Sequence, residues 1–250
     1  MKWLVAAPPY HQSSAGIRVL HRLAYQLQSI GEEVEIGAAV GNPDWPVPLR
    51  PQGTYPDDSI VVYPEIVKGN PFGASRVVRY VLNHPGLLGG DAFYDPSELV
   101  IAYEAAYLDS ARAAGGEATI CHVDVVEPHI FNRGEASRVF DAFYAGWRGK
   151  RIAPPVDGSF PMLEITASWP ATRQQVGLLL QRTRTLYCCS HGTMLIDEAL
   201  RCGVAVSLVE DERFQPPLIR MGDTPSKWDS TEDVQALVAR SAARWAPVSV

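Results

Sequence analysis

Apolar and polar positions change period several times along the chain. Residues 3–7 form a short apolar run, and 8–15 form a polar, turn-rich loop that begins at Pro8 and Pro9. Ile17, Leu20, Leu23, Ala24, Leu27 and Ile30 then recur at helical spacing, and Gly31 stands where a glycine just past the end would stop the helix. An apolar segment with β-branched members follows at 34–40. Strand, loop, helix, strand is a βαβ unit, because parallel strands need a crossover of this kind. Further on, 60–63 predicts a buried strand, Val77, Tyr80 and Val81 mark a helix, and 99–103 predicts another strand. Five prolines between Gly41 and Pro56 keep that stretch outside the sheet.

The second half repeats the theme. An apolar strand at 139–145 runs into Gly146-Trp147-Arg148-Gly149-Lys150, and 162–167 is another strand. Pro170 opens a helix at its first position, continued by Val176, Leu179 and Leu180. A strand at 185–189, a turn at 190–193, a helix at 194–202 stopped by Gly203 and a strand at 204–209 come next. Ser230 and Thr231 cap a last helix carrying Val234, Leu237 and Val238. Strands alternating with helices indicate parallel α/β sheets. Two such series flank a polar stretch at 122–137, so the expectation is an α/β protein of two compact Rossmann-like domains, 1–128 and 129–250.

Composition narrows the class. The chain has 250 residues, 46% hydrophobic and 20% charged, which is too apolar for disorder. No apolar stretch approaches the roughly 18 residues of a membrane span. The opening run is cut short by Pro8 and Pro9, so it is expected to be a strand and not a signal peptide. Four cysteines (Cys121, Cys188, Cys189, Cys202) form no C-x-x-C pair and no zinc spacing, as in a reducing, cytoplasmic setting. Cys188 and Cys189 are expected to be small side chains of a strand. The net charge of −6 argues against a dedicated nucleic-acid binder, though a basic groove can sit on an acidic body.

In open α/β sheets ligands lie beyond the carboxyl ends of the strands. There, Ser190, Gly192 and Thr193 lead from a strand into a helix, where backbone N–H groups and the helix dipole suit a diphosphate. Glu198, five residues on, is placed to accept both hydroxyls of a ribose. The alternative is that Ser190 only caps the helix and Glu198 is solvated. His11, in the loop after the first strand with Tyr10, Gln12 and Ser13, is either a candidate base for an acceptor hydroxyl or an incidental member of a polar loop. His122, Asp124, Glu127 and His129 offer a weaker base or metal cluster, or simply a polar crossover. Tyr94, Tyr103 and Tyr107 fit either an acceptor groove or a core, and Glu210-Asp211-Glu212 reads as an acidic surface turn.

The stretch from Tyr187 to Val206, with Cys188-Cys189-Ser190-His191-Gly192-Thr193, then Glu198-Ala199 and Cys202-Gly203, resembles the donor-binding segment of GT-B glycosyltransferases. It is closest to the bacterial family-4-like and rhamnosyltransferase-like groups. Phe143 to Lys150 resembles that family's glycine-and-lysine turn, and Ile165 to Arg173 the segment facing the nucleotide base. Tyr63 to Pro71 and Arg79 to Gly86 resemble the acceptor domain. The resemblance covers roughly residues 1–210.

What it implies is a glycosyltransferase with two domains facing across a cleft. It would move a sugar from a nucleotide diphosphate sugar such as a UDP-sugar to a saccharide or glycolipid hydroxyl, without a metal or other cofactor. Gly16, Thr166, Ser190, His191, Gly192, Thr193 and Glu198 would hold the donor. His11, Arg148 and Lys150 would serve the chemistry, the two cations at the leaving diphosphate. Tyr10, Glu65, Asn83 and Tyr103 would lie on the acceptor side. Ser190 departs from relatives that carry an acid eight positions before the ribose glutamate. Two alternatives stand beside this. One is a DNA glycosyltransferase acting on hydroxymethylated pyrimidines, with Arg18, Arg22, Lys68, Arg76 and Arg79 as a basic face. The other is a non-catalytic nucleotide-sugar binder or an epimerase.

Overall fold

The computed structural model describes residues 1–51, 53–55, 58–146, 152–154, 159–216 and 230–246. The chain forms two compact units, the second beginning at Val126.

The first unit begins β1 (Lys2–Val5), α1 (Ala15–Ser29), β2 (Glu33–Ile36) and β3 (Ile60–Pro64). It continues with β4 (Arg76–Val81), β5 (Leu99–Ala102), α2 (Ala105–Gly115) and β6 (Ala118–Ile120). Its six strands are all parallel, in the order β2-β1-β3-β4-β5-β6. The order reverses at β1, between its neighbours β2 and β3. Such a switch point opens a crevice at the carboxyl edge of an α/β sheet.

Helix α1 forms because its apolar positions fall on one face. Val19, Leu20, Leu23, Ala24 and Leu27 are all buried, each large one contributing roughly 1.5–3 kcal/mol. Ser14 caps it by accepting from the Ile17 N–H at 3.5 Å. Gly31, in the left-handed region at φ 94°, ends it as expected.

Residues 76–81, expected to be helical, are instead strand β4. The spacing of Val77, Tyr80 and Val81 fits a helix, but 77–81 are all buried. A strand covered on both faces shows no alternation, so its period is invisible. Helix α2 gave no signal for the opposite reason: it is alanine-rich and buries only Ala111 and Ala114 fully.

The second unit contains β7 (Phe140–Tyr144), β8 (Met162–Glu164), α3 (Arg173–Gln181) and β9 (Thr183–Cys188). These are followed by α4 (Leu195–Arg201), β10 (Ala205–Glu210) and β11 (Arg213–Phe214). The order is β11-β10-β9-β7-β8, parallel except for β11, which makes the sheet mixed. The Asp211-Glu212 turn between β10 and β11 has positive φ at both residues, the geometry of a two-residue hairpin, so the acidic run is indeed a surface turn. The core collects Ala142, Leu180, Leu186, Cys188, Ala199, Leu200, Cys202, Val204 and Val206. Helix α3 begins later than expected. Pro170 lies in the preceding turn after a cis bond, and Thr172 and Gln175 form a reciprocal capping box that fixes Arg173 as the first helical residue.

The last helix, α5 (Thr231–Arg244), belongs to the first unit, where the sequence had placed it with the second. It packs on α1 through a buried stripe that includes Val234 and Leu237. Ser230 occupies the cap position but makes no cap bond, because its hydroxyl accepts from Gln26 Nε2 at 2.5 Å and from the Asp124 N–H at 3.3 Å. Asp233 accepts from the His122 N–H at 3.1 Å. Among the described residues no helix is long and apolar enough to cross a membrane.

Candidate functional site

At the carboxyl edge of the second sheet, β9 ends at Cys188 and the chain turns through 189–194 into α4. The Cys189 N–H donates to the Tyr144 carbonyl at 2.9 Å, tying this turn to the end of β7. Thr193 lies where the sequence put it, and its hydroxyl accepts from the Leu195 N–H at 3.4 Å, opening α4. His191 is exposed and donates from Nε2 to the Val209 carbonyl at 2.8 Å, which fixes the imidazole against the end of β10. Ser190 accepts through its carbonyl from Cys188 Sγ at 3.1 Å. Gly192 is exposed.

Glu198 is not solvated. It is 4% exposed and accepts from Arg173 Nη1 at 2.6 Å. Arg173, the first residue of α3, also forks onto Glu127 through Nε and Nη2, and its Cζ lies 4.5 Å from the centre of the Phe131 ring. Burial alone would lower the Arg173 pKa, but Glu198 and Glu127 outweigh it and the pKa is raised. One guanidinium between two carboxylates leaves the trio with a net negative charge. Arg201 on α4 adds a bond from Nη1 to the Val126 carbonyl at 2.6 Å, anchoring the helix that carries Glu198.

Thr166 shapes the turn after β8. Its N–H donates to the Trp169 carbonyl at 2.7 Å and its hydroxyl accepts from the Trp169 N–H at 3.0 Å, leaving the Trp169 indole 45% exposed beside it. Arg148 and Lys150 lie outside the described residues.

In the first unit the singled-out residues follow the carboxyl ends of successive strands. After β1, Tyr10 packs edge-on to His21 at 5.2 Å and to Trp45 at 6.3 Å, so its ring is part of an aromatic cluster. His11 is exposed, with Nδ1 2.8 Å from Ser13 Oγ. Gly16, in the first turn of α1, has no positive φ, and a Cβ there would meet only Leu82 Cδ1 at 3.6 Å, an ordinary contact. Nothing inside this unit therefore requires glycine at 16.

After β3, Glu65 is 3% exposed and accepts from the Leu82 N–H at 3.0 Å. Burial pushes its carboxyl above the usual range, against the pull of that N–H and its own. After β4, Asn83 accepts from the His84 N–H at 2.8 Å. After β5, Tyr103 is 8% exposed with its ring against His122, centroids 4.8 Å apart.

Two of the five cations expected on a basic face are buried inside the first unit. Arg18 is buried and donates to the Val125 carbonyl at 3.3 Å, and Arg79 is buried and paired with Glu98 at 2.9 Å. Arg22 lies over the Tyr25 and Trp45 rings, and Arg76 sits 4.0 Å from Asp58. The 122–129 cluster is divided too, with His122 and Asp124 in the first unit and Glu127 committed to Arg173 in the second. Among the described residues no group of three or more His, Cys, Asp or Glu side chains could hold a metal ion.

Sequence reasoning missed two roles. Arg173 was only the end of a motif, and its meeting with Glu198 joins residues 25 apart. Tyr94, read as either groove or core, carries a buried hydroxyl with no hydrogen-bond partner among the described residues. No known protein family matches the chain, and no curated protein is similar enough to match it.

Proposed function

We propose that the protein is a glycosyltransferase that takes a sugar from a nucleotide diphosphate sugar and gives it to a saccharide or glycolipid hydroxyl. The observation that carries this reading is Glu198. It is a carboxylate bonded to Arg173 and carried on the helix of a strand–turn–helix at the carboxyl edge of a mostly parallel sheet. A ribose diol is bound well by a carboxylate whose rotamer is already fixed, since little side-chain entropy is then lost on binding. The 190–193 turn would receive the diphosphate, Trp169 would lie against the base, and Arg148 and Lys150 would balance the leaving diphosphate. Gly16 supports the reading from the first unit, because no neighbour within that unit requires its missing side chain.

The remaining features belong to the same proposal. The two Rossmann-like units would face each other across a cleft, as in GT-B enzymes, and the reaction would need no metal or other cofactor and run in the cytoplasm. His11, with Ser13 on Nδ1, would take the acceptor proton if the reaction inverts the anomeric centre. Arg18 and Arg79, being buried, give the DNA-acceptor reading no support.

The test is a titration of UDP, GDP and dTDP and their hexose conjugates, followed by thermal shift and calorimetry. A ligand that binds only the folded state raises the melting temperature by mass action. Binding of one base series, weakened at least tenfold in Glu198→Gln, supports the reading, and a flat response to the whole series overturns it.

A further inference from the structure

The loop that follows β4 turns apolar side chains to water while its backbone is held by polar contacts. Phe93 is 76% and Leu87 60% exposed, and Leu88 and Ile66, the latter in the turn after β3, are exposed as well. The loop closes on itself: a Cβ on Gly86 would meet the Ala92 Cβ at 3.5 Å. It rests on the turn after β3, where a Cβ on Gly90 would fall 2.0 Å from the Glu65 carbonyl oxygen and one on Gly89 3.8 Å from that of Ile66. The four apolar residues therefore share one small region of the first unit.

The anchors of this region are not those side chains. The Gly69 N–H donates to Asp91 Oδ2 at 2.5 Å, joining the two turns, and the Leu87 N–H donates to the His84 carbonyl at 3.1 Å. The Tyr94 N–H donates to the Ala114 carbonyl at 2.8 Å. Buried Arg79 reaches the carbonyls of Val67 at 2.9 Å and Gly69 at 3.0 Å. Backbone and polar groups thus fix the loop, and serine at 87 and 93 would leave every one of these bonds in place. Large apolar side chains exposed together on a held loop mark an interaction surface.

Charge around the loop is selective. Residues 66–90, a tenth of the chain, contain none of its 28 acidic residues, although the net charge is −6. Lys68 is exposed in the turn after β3. The acids that border the stretch are each bonded to N–H groups. Glu65 is buried and accepts from the Leu82 N–H, Asp91 accepts from the Gly69 N–H, and Asp95 accepts from the Ser97 N–H at 2.8 Å and its hydroxyl at 2.7 Å. An anionic surface arriving here meets a lysine and apolar side chains.

We propose that Leu87, Leu88 and Phe93, with Ile66 from the turn beneath and Lys68 beside it, insert into the interface of an anionic lipid bilayer and make the protein a peripheral membrane protein. Neither a nucleotide nor a sugar enters this proposal, so it stands apart from the transfer reading. A closed loop of apolar side chains suits a fluid interface, where they leave water without needing a shaped partner. Binding there grows with the apolar area buried and with the pull of anionic headgroups on basic residues. A second copy of the chain is a poorer match, because a stable dimer engages about 20–30 residues a side.

The experiment is co-sedimentation of the whole chain with vesicles of phosphatidylcholine alone and of an equimolar mixture with phosphatidylglycerol, alongside light scattering of the protein without lipid. Expected is binding to the mixed vesicles, stronger than to phosphatidylcholine. Leu87→Ser and Phe93→Ser should each weaken it about tenfold or more with the melting temperature unchanged, since moving one such side chain out of water is worth that factor. Lys68→Gln should cost about fivefold on the mixed vesicles only. Leu178→Ser, which removes a leucine 63% exposed on α3 of the second unit, should bind like the wild type. The proposal is overturned if the chain sediments with neither vesicle, if the double variant of Leu87→Ser and Phe93→Ser binds like the wild type, or if Leu178→Ser weakens binding as much. It is overturned too if the wild type is a dimer that the double variant separates, which would make the loop a contact between copies. A flat nucleotide titration would overturn the transfer reading and leave this surface standing.

Discussion

Arg173 and Glu198 meet at 2.6 Å, Nη1 to Oε1, with side chains 10% and 5% exposed, so that the first residue of one helix positions a carboxylate on the next. Glu127 takes the other edge of the same guanidinium. Removing the cation would take the shared donor from a nearly buried Glu198 and a partly exposed Glu127, a greater loss than the net worth of the pair.

Arg173→Met is therefore expected to cost about 3–5 kcal/mol of unfolding free energy. Arg173→Lys should fall between it and the wild type, because lysine keeps the charge but cannot fork onto two partners. Combining Arg173→Met with Glu198→Gln should recover part of the loss. Urea denaturation of the four proteins measures this. A loss below about 1 kcal/mol in Arg173→Met, the size of an exposed pair, would contradict the buried trio.

The buried carboxyl of Glu65 makes a prediction with a definite sign. Its pKa is raised in the folded chain, so the native state holds that proton more tightly than the unfolded one. Its contribution to stability is then undiminished below the ordinary carboxylate pKa and is lost as pH rises through the raised value. Glu65→Gln should gain on the wild type as pH rises from about 4 to about 8. Urea midpoints at intervals across that range test it. Glu104 shifts in the same direction but is present in both proteins, so the difference isolates Glu65. A constant difference would count against it.

Two glycines should respond oppositely to alanine. Gly16→Ala has room and a compatible backbone, so stability should hold or rise by up to about 1 kcal/mol from helix propensity. If the donor approaches there, nucleotide-sugar affinity falls while stability does not. Gly90→Ala should lose more than the roughly 1–2 kcal/mol of a left-handed alanine, because its φ is 71° and the new methyl overlaps the Glu65 carbonyl. Paired thermal melts, with a nucleotide-sugar titration for Gly16→Ala, decide both.

Thiol labelling should be selective. Burial pushes Cys188 up to about 11 and Cys202 up to about 12, and it raises Cys121 further still. Since the thiolate is the reactive form, all three should be inert in the native state. Half-buried Cys189 should react first with a disulfide reagent near neutral pH. Mass mapping after brief labelling identifies the site, and early modification of Cys202 would contradict the packing.

What the sequence made legible was whatever repeats locally. The α1 stripe, its Ser14 cap and Gly31 stop, and the strand–turn–helix around 185–202 all follow from neighbours within a few residues. Strand β4 was misread because full burial erases alternation, and α2 was passed over because alanines bury little area. Ser190, Gly192, Thr193, Glu65 and Tyr103 follow the ends of strands, which their neighbours in sequence make legible. The pairings at the candidate site were not. Nothing near Glu198 announces Arg173, and nothing near Arg18 or Arg79 announces that their charge is spent on a buried carbonyl and on Glu98. Tyr94 is the extreme case, because a missing partner leaves no trace in sequence.

The return of α5 to the first unit has a consequence for biosynthesis. Gln26 waits for Ser230, and the His122 N–H for Asp233, so the unit that begins to emerge first from the ribosome is finished last. Every residue of the second unit has been synthesised by the time the first receives its closing helix. Translation thus writes the second unit as a parenthesis, and a nascent chain paused inside it presents α1 with the surface that α5 packs on still uncovered.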